Sequence, residues 1–207
     1  MTYSLNETHK LVKDAARGAD WTWGDADELA RLAVWLEVAG AAGLAYAADA
    51  LESDGAEIRD LFSARDAVMV RGNHETLSPP LPLVAVLSAL AQDIGQALRI
   101  NDAPTGQYAA YVSPDGEVLC CPNLISLSTS LSEGTPSKWT VILTTEQPST
   151  NLLPVMSQKI RSAAVQTGLD HDAAAHQRLE AHARKTLVEA TAASRLRGAG
   201  AGTVDRD

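Results

Sequence analysis

The sequence predicts an α+β fold: an N-terminal helical cluster packed on an antiparallel β-meander, then a long C-terminal helix and a glycine-rich tail. Three observations carry this expectation. Two capping-box tetrapeptides open apolar runs of helical period within the first 40 residues. Around residues 108–143 the apolar period changes to two, about a Ser-Pro-Asp-Gly turn. Past Asp170 a helical stripe returns.

The first box is Ser4-Leu5-Asn6-Glu7, followed by Leu5, Thr8, Leu11, Val12, Ala15 and Ala16 at helical spacing, with Gly18 ending the run. The second is Asp25-Ala26-Asp27-Glu28, with Leu29, Leu32, Ala33 and Leu36 as its stripe and Gly40 as its close. Trp21-Thr22-Trp23-Gly24 between them reads as a packed corner, and residues 45–51 as a third helix. Ala67-Val68-Met69-Val70 reads as a short strand, Ser78-Pro79-Pro80 as a break, and residues 83–94 as a buried helix. Residues 108–112 and 117–121 flank Ser113-Pro114-Asp115-Gly116 as a hairpin. Ile125 to Leu131 and Trp139 to Leu143 add two more strands of the meander. Residues 147–154 read as loop. Asp170 is expected to cap a helix bearing Ala173, Leu179, Ala183 and Leu187. The whole, residues 1–207, reads as one domain with a helical part (1–64), a mixed part (65–146) and a loop, helix and tail (147–207).

Hydrophobic residues make up 45% of the chain and aromatics 4%, with alanine abundant, so helices that pack closely are expected. The formal charge of −9 argues against nucleic acid or an anionic membrane as partner. No basic start followed by an apolar run and no bilayer-length apolar stretch is present, and the two cysteines, Cys120 and Cys121, are adjacent. A cytoplasmic protein is the expectation.

Chemical motifs are few. Gly72-Asn73-His74-Glu75 resembles the Gly-Asn-His-Glu signature of calcineurin-like metallophosphatases, which would imply a two-metal phosphoesterase. The Asp-x-His, the properly placed Gly-Asp-x-x-Asp and the separated later histidines of that family have no counterpart, so the tetrapeptide stands alone. His171, His176 and His182 are spaced by five and six, not the i,i+3 or i,i+4 of two ligands on one helix face, so no metal site is assigned. No cofactor fingerprint is present. Gly198-Ala199-Gly200-Ala201-Gly202 follows a helix and opens nothing, unlike a dinucleotide loop. Successive glycines do allow a nest of backbone N–H groups for an anion.

The Ser4-Leu5-Asn6-Glu7 opening, Ala15-Ala16-Arg17-Gly18-Ala19, Trp23-Gly24 with Glu28, and Ser194-Arg195 with Gly198 to Gly202 together resemble a family of uncharacterised small proteobacterial proteins. That resemblance implies no reaction. It implies that both chain ends belong to the design of the fold.

The functional expectation is a cytoplasmic protein that binds a small anionic, carboxylate-type metabolite, as a catabolic enzyme or its accessory subunit. Arg195 would hold the anion beside Ser194, with backbone amides from Gly198 and Gly200, and Asn6, Glu7 and Glu28 would face it from the helix starts. Glu7 and Glu28 are the candidate proton carriers, on condition that burial raises their pKa. The alternative is a non-catalytic interaction protein that pairs an alanine-rich face with a second copy or a partner enzyme.

Overall fold

Helix α1 (Leu5–Gly18) starts on the predicted box: the Glu7 amide donates to Ser4 Oγ at 3.2 Å and the Ser4 amide to Glu7 Oε2 at 2.8 Å. The computed structural model describes residues 2–53, 55–78, 80–122, 137–146, 148 and 152–186. Helix α2 (Trp23–Val38) begins earlier than the sequence suggests. Thr22 is its N-cap, with the Asp25 amide donating to Thr22 Oγ1 at 3.2 Å, so the box proposed at Asp25–Glu28 does not form and Glu28 faces a different partner. Of the Trp21–Gly24 corner, Trp21 packs half-buried against the core, whereas Trp23 is 67% exposed with the Arg17 guanidinium 4.5 Å from its ring centroid.

Helix α3 spans Gly43–Glu52 and helix α4 Ala56–Arg71. The expected strand at residues 67–70 is instead the last turn of α4. Ile58, Leu61, Phe62 and Val68 share its buried face at helical spacing, and that longer pattern overrides the four-residue apolar run. Gly72, at φ +74°, ends the helix and turns the chain into strand β2 (Asn73–Ser78). Helix α5 (Pro80–Ile94) is the predicted buried helix. It packs on α2 and α4 on one side and on the sheet on the other.

The sheet adds β3 (Ala97–Asp102), β4 (Tyr108–Val112), β5 (Val118–Cys120), β6 (Ser137–Thr144) and β7 (Leu153–Met156), in the order β2-β6-β3-β4-β5-β7, all antiparallel. The β4–β5 hairpin closes as read, with Gly116 at φ +80° and the Ser113 amide donating to the Glu117 carbonyl at 2.8 Å. The simple meander is corrected. Strand β6 lies between β2 and β3, with Asn73 opposite Ile142 on one side and Arg99 opposite Ile142 on the other. Strand β7 falls partly in the stretch read as loop, held by pairing with β5 rather than by its own short sequence. The strand expected at residues 125–131 lies outside the described residues. Leu98, Ile100, Val112, Val118 and Val141 face the helices and are buried.

Helix α6 (Gln158–Thr167), missed in the sequence, follows Ser157, whose hydroxyl accepts from the Ile160 amide. Strand β8 (Leu169–Asp170) pairs with β1 (Thr2–Tyr3), so Asp170 is a strand residue; the cap of helix α7 (Ala173–Ala183) is Asp172. A 3-10 turn, Arg184–Thr186, follows. Among the described residues no helix is long and apolar enough to cross a membrane.

The two ends of the described chain therefore meet. Tyr3 stacks on His171 at 4.1 Å between centroids and on His176 at 4.7 Å, and Thr8 Oγ1 lies 2.8 Å from His171 Nε2. Helix α1 lies against α7 so closely that a Cβ on Gly18 would fall 1.9 Å from the His182 carbonyl oxygen. A Gly18→Ala variant is expected to lose about 1–3 kcal/mol of stability by forcing these backbones apart, read by urea denaturation. Burial holds the His9 and His171 imidazoles below their ordinary pKa. The unfolded chain then binds more protons than the folded one, so stability is complete above the ordinary value of about 6.5 and is lost as pH falls below it. Melting temperature should drop on acidification from neutral pH, and less steeply in a His171→Gln variant.

Candidate functional site

Helices α2, α4, α5 and α6 border an open groove of about 650 Å³, with Leu5 and His9 of α1 and Met156 of β7 at its margins. The volume is within the range that holds small organic ligands. Leu32, Val38, Val86, Leu90 and Met156 give it an apolar floor, and Met69 and Val165 stand exposed beside it.

Besides His9 and the exposed Asp93, its charged groups fall into three sets. Arg31 Nη2 is 2.7 Å from Asp27 Oδ2, one turn back on α2, and Asp27 also holds Lys13. Arg65 on α4 pairs with Glu28 on α2 and with Asp66 at 2.9 Å, and its guanidinium lies 5.6 Å from the Phe62 ring centroid. These carboxylates hold Arg65 above the ordinary arginine pKa. Arg161 on α6 is different. It is partly buried, donates one hydrogen bond to the Gly116 carbonyl at 3.1 Å, and among the described residues forms no ion pair. Burial alone moves its pKa down. Trp35 also lines the groove, and its buried indole N–H has no hydrogen-bond partner among the described residues.

Glu28 reaches this groove because α2 starts at Trp23, which leaves Glu28 beyond the capping turn and opposite α4. Glu7 does not line it. Glu7 is exposed and bonded to Ser4, which lowers its pKa, the opposite sign to the burial effect a neutral-pH proton carrier uses. Asn6 is exposed on the first turn of α1. Ser194, Arg195, Gly198 and Gly200 lie outside the described residues. Sequence inspection missed Arg161 and Trp35. An arginine on a ten-residue helix and a tryptophan inside an apolar stripe carry no motif; only the tertiary packing of α6 on α2 brings them to one cleft. His74 and Glu75 of the Gly-Asn-His-Glu tetrapeptide sit on strand β2, where Glu75 pairs with Lys138 at 2.5 Å. Among the described residues no group of three His, Cys, Asp or Glu is placed to hold a metal.

Cys120 is buried in β5 and its thiol is pushed up to about 12 by that burial, while Cys121 is half-buried. A thiol reagent at mildly alkaline pH should modify Cys121 in the folded protein and Cys120 only after denaturation, counted by mass spectrometry.

No curated protein and no solved structure matches the chain. A family model described as "Protein of unknown function (DUF3726)" matches residues 3–73, which hold Ser4 to Glu7, Trp23, Gly24, Glu28 and Arg65; the chain thus carries, over β1 and helices α1–α4, the pattern of an uncharacterised family.

Proposed function

We propose that the groove binds a small amphipathic carboxylate. The observation that carries this reading is Arg161, a partly buried guanidinium with no carboxylate partner among the described residues, at the wall of an apolar-floored cleft. A partly buried cation whose contact among the described residues is one carbonyl is incompletely compensated, and a carboxylate supplies both the counter-charge and a bidentate acceptor. Leu32, Val38, Val86 and Leu90 would take an apolar body. Glu28 and Arg65, already paired, form a polar wall that repels or orients a second charge, so monocarboxylates fit better than dicarboxylates. Arg161 is the anion anchor in this reading, for the same ligand class expected from the sequence; Arg195 lies outside the described residues. If the protein transforms its ligand, Glu28, Asp66 and Asp93 are the carboxylates at hand for proton transfer.

The test is a thermal-shift series of aliphatic and aromatic monocarboxylates, each beside its neutral amide. A carboxylate present at a hundred times its dissociation constant should add about 2.7 kcal/mol, hence about 5–10 °C in melting temperature. The amides should give little, and Arg161→Met should weaken binding at least about tenfold. Equal response to acids and amides, or an unaffected Arg161→Met variant, would sink the proposal.

A second reading has its own observation. Met69 at 57%, Val70 at 78% and Val165 at 69% exposure bring apolar side chains to solvent on α4 and α6. If this patch pairs two copies of the chain, sedimentation equilibrium should show a dimer that Val70→Lys returns to monomer.

A further inference from the structure

Among the described α-helices, α6 alone has no buried residue. Only Ile160, Arg161 and Ala164 are even half-buried, and the rest of the helix is exposed. A helix this short is marginal in water by itself, and burial of an apolar face is what normally stabilises one. An isoleucine, a methyl group and an arginine stem supply little of that burial, so α6 belongs to the weakly held part of the fold.

Its ends are nevertheless fixed. Met156 of β7 is buried just before the Ser157 cap, and Leu169 of β8 is buried just after Gly168. Gly168 sits at φ +75° against β1, where a Cβ would lie 2.7 Å from Thr2 Cγ2 and 2.8 Å from the Tyr3 carbonyl oxygen. Between these anchors, among the described residues, the one side-chain hydrogen bond that leaves α6 runs from Arg161 to the Gly116 carbonyl at 3.1 Å. It ties the helix to the β4–β5 turn. A side chain on that turn would block the tie, since a Cβ on Gly116 would lie 2.8 Å from Arg161 Nη2. A helix fixed at its ends and latched at one point swings about those ends without unfolding.

The same helix is a wall of the groove. Val165 of α6 and Met69 of α4 both line it, and they are 69% and 57% exposed. Two apolar side chains left in water on helices that border one cleft gain by coming together over an apolar occupant. We propose that α6 is a lid that swings toward α4 over an occupied groove, with Arg161 as its latch and Met69 and Val165 as the rims that closing covers. This rests on the groove being a binding site. A guanidinium has five N–H donors, so Arg161 keeps the Gly116 carbonyl while it grips a carboxylate. Anchor and latch are then one residue, and ligand binding is coupled to lid position through a single side chain. Closing also removes water from around that contact and strengthens it.

The test is a distance measurement by double electron–electron resonance on the full chain. Nitroxide labels are placed at Ser63→Cys on α4 and Gln166→Cys on α6, in a Cys121→Ser background. Both positions are exposed and neither lines the groove, so the labels leave the rims free. Without octanoate the lid gives a broad distribution, with a component shorter than the open separation by more than about 2 Å. Octanoate should shift the population to that short component, with its binding followed by calorimetry on the same sample. Arg161→Met should remove the octanoate effect and spread the distribution toward longer distances; circular dichroism checks that this variant keeps its helices. A single narrow distance in both the wild-type and the Arg161→Met chains would overturn the lid. So would octanoate that binds and leaves the distribution unchanged, an outcome under which the groove reading stands. A two-component distribution without octanoate binding would keep the lid and count against the carboxylate reading.

Discussion

The small side chains between the helices are the constraint on which the rest of the molecule depends. Ala15 and Ala16 of α1, Ala26, Ala30 and Ala33 of α2, and Ala47 and Ala48 of α3 are fully buried. Gly43 sits so near α2 that an added Cβ would lie 2.2 Å from the Ala33 carbonyl oxygen, and Gly18 is pressed as tightly against α7. Helices that approach this closely leave no tolerance in their azimuth. That fixed rotation turns Thr8 and Tyr3 toward the histidines of the C-terminal segment. It also sets Glu28 and Trp35 on the side of α2 that faces the groove.

Two arginines in the same groove are unequally compensated, and the proposed binding preference rests on that difference. Arg65 is saturated by Glu28, Asp66 and the Phe62 ring, and its charge is spent within the protein. Among the described residues Arg161 donates to one carbonyl, that of Gly116, and forms no ion pair. Removing a partner from a buried charge is costly, and supplying one is favourable to a similar degree, so a ligand gains most where the protein has compensated least. In the proposed reading Arg65 is wall and Arg161 is anchor.

Legibility in the sequence followed the range of the interactions. The α1 capping box, the α5 helix and the β4–β5 turn are set by residues within a few positions of one another, and each stands where its local chemistry places it. The second box failed because Thr22 offered a competing cap three residues upstream, and the 67–70 run failed because its stripe begins at Ile58. Strand β7, the insertion of β6 between β2 and β3, and the β1–β8 pairing all depend on partners dozens of residues away. The groove was legible only in Glu28. The weight placed on Arg161 in the proposed reading comes from its having no ion pair among the described residues, and such an absence leaves no trace in a linear sequence. His171 and His176 were read as lying on one helix, whereas the cap at Asp172 divides them and lets their rings meet.

The meeting of the first and last described elements has a consequence for synthesis. Helices α1 to α4 emerge from the ribosome first, and their contacts are mostly local. Yet the surface around Thr8, Ala15 and Gly18 stays bare until α7 has been made, well over a hundred residues later. For that interval the nascent chain carries an unshielded alanine-lined seam, shallow and low in apolar area. Its shallowness limits how strongly it can adhere to other nascent chains, so a poor contact for strangers becomes a close one for the helix shaped to fit it.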